Sequence, residues 1–389
     1  METEKLYYAD PFLTDFTATV LDCQPGKNGY LVTLDRTAFY PEGGGQPADH
    51  GVLDGAAVTD VHEKNGVILH NVDRAVEIGK TVTGAIDWGR RFDHMQQHSG
   101  EHICSGLICQ RFHCDNVGFH MGADIVTIDF NTDISWEELL EIEAKANQYL
   151  YENHPIDIQF HRGAELEAID YRSKKALEGD VRIVAFPGAD CCACCGTHVL
   201  RSGQVGLVKF LSVQKFREGV RIELLCGKRA LEYLSKTWEQ AKAIGQRLSV
   251  KPVDSEAAVE RLEGELTSLK LRCTQLEESV FESIAKELAG KGDVMLFQPS
   301  MRPDSVRRLM DAVSKTCSGL AAVFFGEEGH YAYALGRADG QDISPLVKAM
   351  NTALHGRGGG RNGFAQGSVE TERSAIESFF KENGYGICD

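Results

Sequence analysis

No run of about 18 apolar residues occurs in the 389-residue chain, which excludes an ordinary membrane-spanning helix. The start, Met-Glu-Thr-Glu-Lys-Leu-Tyr-Tyr, lacks the charged-then-apolar pattern of a signal peptide, so a cytoplasmic protein without membrane contact is expected. Positive charge is also short. Lys and Arg number 41 against 57 Asp and Glu, a formal net charge of -16. That balance counts against a broad nucleic-acid binder but leaves room for a narrow site on a local basic face. Candidates for such a face are Trp88 with Arg90 and Arg91, the stretch Tyr171-Arg-Ser-Lys-Lys175, and Lys209, Lys215, Arg217 and Arg221. Several chemistries are missing as motifs. No Gly-Lys-Ser/Thr completes a Walker A loop, no strand leads cleanly into a dinucleotide fingerprint, and Glu101 directly precedes His102, so there is no His-Glu-x-x-His.

Cysteine, by contrast, is plentiful, with 12 in the chain. Without an export signal these are not expected to form disulfides. Cys104, Cys109, Cys226, Cys273 and Cys317 sit in apolar surroundings and read as small core residues. Four others crowd into Cys191, Cys192, Cys194 and Cys195, where a reduced, metal-binding role suits them better.

Two short segments then stand out, His98-Ser-Gly-Glu-His102 and Cys194-Cys-Gly-Thr-His198. Each is a ligand pair at i, i+4, a spacing that on a helix places both side chains on one face. Three imidazoles and one thiolate suit a tetrahedral zinc ion. Cys191, Cys192 and Cys195 are rivals for the thiolate, and His94, one turn before His98, can replace a ligand or brace one.

Length and an ordinary 42% hydrophobic content allow two or three domains. Residues 1–85 read as short strands, among them Leu31–Asp35 and Gly66–His70, with frequent turn signals, which predicts a small β-barrel or sandwich. Residues 86–227 mix types: a helix over His94–Cys109, a strand over Ile125–Asp129, a helix over Trp136–Tyr151, and a hairpin over Val205–Leu225. Residues 228–290 are helical. Val259, Leu262, Leu266, Leu269, Cys273, Leu276 and Val280 make an a/d seam of about three heptads, satisfied either by a second chain or by the helix Lys228–Leu248. Residues 291–389 return to α/β, with strands Val294–Phe297 and Leu320–Phe325, helices Ser305–Lys315 and Thr371–Asn383, and a glycine-rich loop over His355–Gly367. Arg357 and Arg361 in that loop could meet a phosphate. A second glycine constellation is Thr37-Ala-Phe-Tyr-Pro-Glu-Gly-Gly-Gly-Gln-Pro47, in which the Thr37 hydroxyl and the Gln46 amide could touch a polar substrate.

Taken together, His98-x-x-x-His102, Cys194-x-x-x-His198 and Phe39-Tyr-Pro-Glu-Gly-Gly-Gly-Gln-Pro47 resemble the editing domain of alanyl-tRNA synthetase, and more closely the free-standing AlaX proteins. The C-terminal Gly-Arg-Gly-Gly-Gly-Arg-Asn-Gly-Phe-Ala-Gln-Gly resembles the DHH-associated domain, so the long form of that family is suggested over nearly the whole chain. The resemblance implies an α+β protein: a small N-terminal β-barrel, a zinc editing domain, a helical or coiled-coil linker and a C-terminal domain of the DHH-associated type. It implies a trans-editing hydrolase that deacylates Ser-tRNA(Ala), with Gly-tRNA(Ala) as a further substrate. One zinc per chain would sit on His98, His102, Cys194 and His198, with Thr37, Gln46 and Glu101 as the catalytic candidates. Cys195 stands where the family usually has glycine, which leaves Cys194 and Cys195 open as the thiolate. The logic is physical: a synthetic pocket for alanine cannot exclude serine by size, whereas a second site can select its hydroxyl. The alternative is a zinc-containing tRNA-binding protein without hydrolysis, in which Gln46 and Glu101 are spectators. A full synthetase is not expected, because no catalytic domain precedes these motifs. Homodimerisation through the C-terminal third is expected from the seam.

Overall fold

Alternation of buried and exposed residues runs through six N-terminal strands: Asp15–Gly26 (β1), Gly29–Leu34 (β2), Gly51–Leu53 (β3), Ala56–Lys64 (β4), Val67–Val72 (β5) and Thr81–Ile86 (β6). A computed structural model, which describes residues 2–27, 29–173, 179–327 and 329–386, closes them into an antiparallel barrel in the order β1-β2-β5-β4-β3-β6. Val32, Leu34, Phe39, Leu53, Val61 and Ile68 fill its interior and are fully buried. Lys174 and Lys175 of the basic stretch lie outside the described residues.

The chain between β2 and β3 leaves the barrel and carries the first glycine constellation. Gly43 and Gln46 exchange both backbone hydrogen bonds, at 3.1 and 3.0 Å, around Gly44 and Gly45, whose φ values are +60° and +85°. Positive φ at both central positions is the reason for glycine in this tight turn. The loop is fastened by a buried clamp. Arg91 is fully buried, forks onto Asp49, and donates to the carbonyls of Pro11 at 2.9 Å and Ala38 at 2.6 Å. Arg91 therefore belongs to the interior and not to a basic face.

The helix Trp88–Phe112 (α1) begins at Asp87, whose side chain accepts from Arg90 N, and ends at His113 in the left-handed region. It packs on an antiparallel sheet of Asn116–Met121 (β7), Val126–Phe130 (β8), Val208–Phe216 (β12) and Gly219–Cys226 (β13), in the order β12-β13-β8-β7. Between them in sequence lie the helix Trp136–Glu152 (α2), with a Ser135–Glu138 capping box, and a three-stranded sheet of Asp157–His161 (β9), Val181–Phe186 (β10) and Asp190–Ala193 (β11). Every residue of α1 from His94 to Gly106 is buried. A Cβ at Gly100 would lie 2.2 Å from Cys226 Sγ, and one at Gly106 would lie 2.1 Å from the carbonyl oxygen of Ala189. Glycine lets both neighbours press against the helix.

The chain divides into two compact units, Met1–Ala243 and Ile244–Asp389. The helix Gly227–Leu248 (α3) bridges the boundary in sequence. The second unit holds the long helix Ser255–Glu287 (α4) and a five-stranded sheet. In the order of the sheet its strands are Val294–Gln298 (β14), Leu320–Glu327 (β15), His330–Arg337 (β16), Phe364–Val369 (β18) and Arg357–Arg361 (β17). Helices Pro303–Ser314 (α5), Ser344–Ala353 (α6) and Arg373–Glu382 (α7) complete it. The glycine run is thus not a loop. It is a hairpin of β17 and β18 around Asn362 and Gly363, both at positive φ, and Gly358 pairs with Gly367 where a Cβ on either would lie within 2.5 Å of the Tyr333 hydroxyl. Asn-Gly between extended runs is a hairpin signal. The apolar seam of α4 is exposed, from 40% at Val259 to 59% at Leu276. Among the described residues no helix is long and apolar enough to cross a membrane.

Candidate metal centre

A helix buried all round with polar side chains must satisfy each of them, because an unpaired buried polar group costs about 1–3 kcal/mol. On α1, Gln97 exchanges hydrogen bonds with the backbone of Cys226 at 2.7 and 2.9 Å, and Gln96 donates to Gln204 O at 3.0 Å. His98 and His102 project one turn apart on the same face, as their spacing on a helix requires. Cys194 and His198 do not lie on a helix. They follow β11 on irregular chain, and their approach depends on Gly196, where a Cβ would come within 2.1 Å of His98 Cε1.

The four side chains converge. Their donor atoms all lie within 4.8 Å of one another, with Cys194 Sγ 3.5 Å from His98 Nε2 and 3.4 Å from His198 Nε2. Each imidazole is oriented through its other nitrogen. His98 Nδ1 meets Gln46 Oε1 at 2.9 Å, His102 Nδ1 meets Asp190 Oδ2 at 2.9 Å, and His198 Nδ1 meets Ser99 Oγ at 3.2 Å. These partners are fixed in turn. Gln46 donates to Thr197 Oγ1 and accepts from Thr197 N, while Arg172 forks onto Asp190 with two bonds of 2.7 Å. Partners that hold Nδ1 and leave Nε2 for an ion are the usual surroundings of a histidine ligand. The cluster can hold a metal ion.

Electrostatics sort the thiols. Burial opposes ionisation of Cys194, yet His98, His198 and His102 together hold it well below the usual thiol range. Cys192, two residues earlier, is pushed up to about 11 by burial. Cys195 is exposed and lies outside the cluster, so the geometry favours Cys194 over its rival. Burial works against charging His102, but the Cys194 charge and the hydrogen bond with Asp190 raise it well above its usual range, whereas burial drives His198 down to about 3. Burial likewise opposes Asp190, and the bonds from His102 and Arg172 outweigh it to hold the carboxyl low.

A cavity of about 590 Å³ opens on the cluster, with Gly44, Gly45, Glu101, Asn116, Phe119 and Arg182 in its wall. The Phe119 ring stacks on His98 with centroids 5.2 Å apart. Glu101 Oε1 accepts from Ser105 Oγ at 2.6 Å and from Asn116 Nδ2 at 2.8 Å. Asn116 is 8% exposed and its Oδ1 has no hydrogen-bond partner among the described residues.

The sequence-derived candidates are thereby separated. Glu101 lines the cavity. Gln46 is fully buried and serves His98 from behind. Thr37 does not line the cavity; it is fully buried at the barrel, with its hydroxyl 2.8 Å from His70 Nε2 and accepting from Phe39 N at 3.1 Å. His94 is outside the metal cluster. Lys209, Lys215 and Arg221 are engaged by Glu143, Asp133 and Asp129. Asp190, Arg172 and Asn116 were not identified by spacing, since each reaches the site from another element. Ser99 and Thr197 lay inside the two motifs and could have been noticed there.

Comparison with known proteins places the chain among translation proteins. The family model of class II (A) tRNA synthetases matches residues 3–90, that of the threonyl and alanyl tRNA synthetase second additional domain matches 181–223, and that of the DHHA1 domain matches 287–382. Alanyl-tRNA editing protein AlaX-L of Pyrococcus horikoshii is 30% identical over 393 residues, covering 96% of each chain. Alanine–tRNA ligase of Pyrococcus abyssi is 32% identical over 98% of this chain, and that of Natronomonas pharaonis 35% over 90%. This chain spans only 44% and 38% of those two ligases.

Proposed function

The chain belongs to the family of alanyl-tRNA editing proteins, and on that premise we propose that it is a zinc-dependent aminoacyl-tRNA deacylase. It acts in trans in the cytoplasm on tRNA(Ala) mischarged with serine, with glycine as a weaker substrate. The observation that carries this reading is the convergence on one another, beside one cavity, of three oriented histidines and a low-lying thiol. His98, His102, Cys194 and His198 fit zinc in donor type and number. When bound, zinc would supply a positive charge that holds or polarises the aminoacyl end of the substrate.

The remaining work falls to this chain's own side chains. The carboxylate of Glu101, in the cavity wall, takes a proton from the attacking water, while Ser105 and Asn116 keep it in one orientation. The orphaned Oδ1 of Asn116 is the natural acceptor for a seryl hydroxyl, in place of the buried Thr37 hydroxyl. With an alanyl ester that oxygen stays unpaired, at a cost of about 1–3 kcal/mol, or roughly 10- to 100-fold in discrimination. Glycine also lacks the hydroxyl, hence its lower rank. The exposed α4 seam supports dimerisation by helix pairing.

Deacylation of Ser-, Gly- and Ala-tRNA(Ala) by the purified chain tests the proposal. Serine should be released fastest and alanine spared. Equal rates on all three would defeat the serine-editing reading, and no rate on any would leave the binding-only alternative in its place.

A further inference from the structure

Among the described residues, one fully buried side-chain nitrogen of α1 lacks a hydrogen-bond partner. His94 is 2% exposed, and its Nδ1 is buried without a hydrogen-bond partner. His94 faces a second cavity, of about 770 Å³, which the deacylation chemistry does not use. Its wall is formed by the first turns of two long helices, α1 through Arg90 and α3 through Arg229, Tyr233 and Lys236, and by the β7–β8 turn at Asp124.

The charges in that wall can be sorted. Arg229 is consumed by a fork onto Asp93 and a 2.8 Å bond to Gly122 O, and Lys228 pairs with Glu232 at 3.6 Å. Arg90 uses only Nε, on the Ala48 carbonyl at 3.0 Å, and enters no ion pair among the described residues, nor does Lys236. Against these two cations stands one carboxylate without an ion pair among the described residues, Asp124, since Glu232 and Asp93 are taken by Lys228 and Arg229. Two helix N-termini add positive potential to the same space. Burial, reinforced by Arg90 and Arg229, keeps the imidazole of His94 neutral, with its pKa down to about 3. A neutral imidazole still offers one N–H donor. Tyr233, 45% exposed at the rim, adds a stacking face. Free cations, a buried unsatisfied imidazole and an aromatic ring suit a nucleotide: a phosphate with a base beside it.

The position fits the same occupant. His94 and His98 stand one turn apart on α1, about 6 Å along its axis. Gly44 and Gly45 line the metal cavity while Pro47, at the end of the same loop, lines this one. We propose that this second cavity binds a phosphodiester of the single-stranded 3′ end of the RNA whose terminal ester enters the metal cavity, with Arg90, Lys236 and His94 as donors and Tyr233 stacking on a base. The inference rests on the tRNA-substrate reading.

Binding of an uncharged tRNA(Ala) acceptor minihelix, followed against salt concentration, tests it without requiring hydrolysis. Arg90→Gln and Lys236→Gln should each weaken binding about 3- to 10-fold and flatten the log–log salt slope by about one. His94→Phe should weaken binding while leaving the slope unchanged, because the group it removes is uncharged. Because Arg90 also holds Ala48, the exposed Lys236 variant carries the decision if Arg90→Gln misfolds. Wild-type affinity and slope in Lys236→Gln and His94→Phe would overturn the proposal. Displacement of the minihelix is also measured with inorganic phosphate and with AMP. Strong binding of inorganic phosphate, with no effect of the variants on the minihelix, would assign the cavity to a free phosphate and equally overturn the RNA assignment. A chain that binds the minihelix through these residues but fails to deacylate keeps this subsite and loses the editing reading.

Discussion

Thr37 holds the barrel, and Asn116 faces the metal cavity. The Thr37 hydroxyl satisfies His70 Nε2, because His70 Nδ1 is committed as a donor to Val32 O at 3.0 Å. Thr37→Val should therefore cost about 1–3 kcal/mol of barrel stability while leaving the preference for serine over alanine intact. Asn116→Ala should reduce that preference by about tenfold or more. Thermal melts and deacylation rates on both variants check the pair, and a Thr37→Val enzyme that no longer separates serine from alanine would return the hydroxyl contact to Thr37. His70 makes a further prediction. Burial lowers its pKa to about 4, so in acid the unfolded chain gains a proton that the folded barrel refuses. The stability it withholds is absent above about pH 6.5 and grows as pH falls toward 4, reaching roughly 3 kcal/mol. The wild type should thus lose melting temperature between pH 7 and pH 4.5 more steeply than His70→Gln, and identical slopes would refute the assignment.

At the scale of elements, what could be read in advance was whatever is local. The pair His98 and His102 was legible because both lie on one helix, where spacing fixes facing. The α3 and α4 helices, the β12–β13 hairpin and the strands β14 and β15 were legible from period and composition. The second ligand pair was legible as residues but not as structure, since Cys194 and His198 meet on a loop whose path is set by Gly196 and by Arg182, which donates to the carbonyls of Cys194 and Gly196. The glycine run after His355 was misread as a loop, although its Asn362-Gly363 dipeptide is a hairpin turn signal. Asp190, Arg172 and Asn116 were illegible because only tertiary contact brings them to α1. The role given to Gly196 predicts that Gly196→Ala, which drives a Cβ into His98, lowers metal content severely. Gly264→Ala, in open space on α4, should leave metal content unchanged and stabilise its helix by up to about 1 kcal/mol. Metal analysis of the two variants separates a packing requirement from mere helix propensity, and full occupancy in Gly196→Ala would dismiss it.

For the molecule as a whole, an acidic chain is reconciled with an RNA substrate by economy of cations. Among the described residues Arg91, Arg172, Lys209, Lys215 and Arg221 are spent on carboxylates, while Arg90 and Lys236 lie beside one cavity without an ion pair. An exposed apolar stripe on α4 needs a cover, and we expect a second copy. Sedimentation should give a dimer for the wild type and a monomer for the double variant Leu262→Glu, Leu269→Glu; a monomeric wild type would remove the dimer. Ester hydrolysis is expected to require one ion, held through Cys194 and not Cys195. Zinc content and Ser-tRNA(Ala) deacylation should therefore be measured on the same preparations of the wild type, Cys194→Ser and Cys195→Ser. The prediction is one zinc per chain and rapid deacylation in the wild type and Cys195→Ser, with both lost in Cys194→Ser. A Cys194→Ser protein that keeps its zinc and its rate would contradict the account.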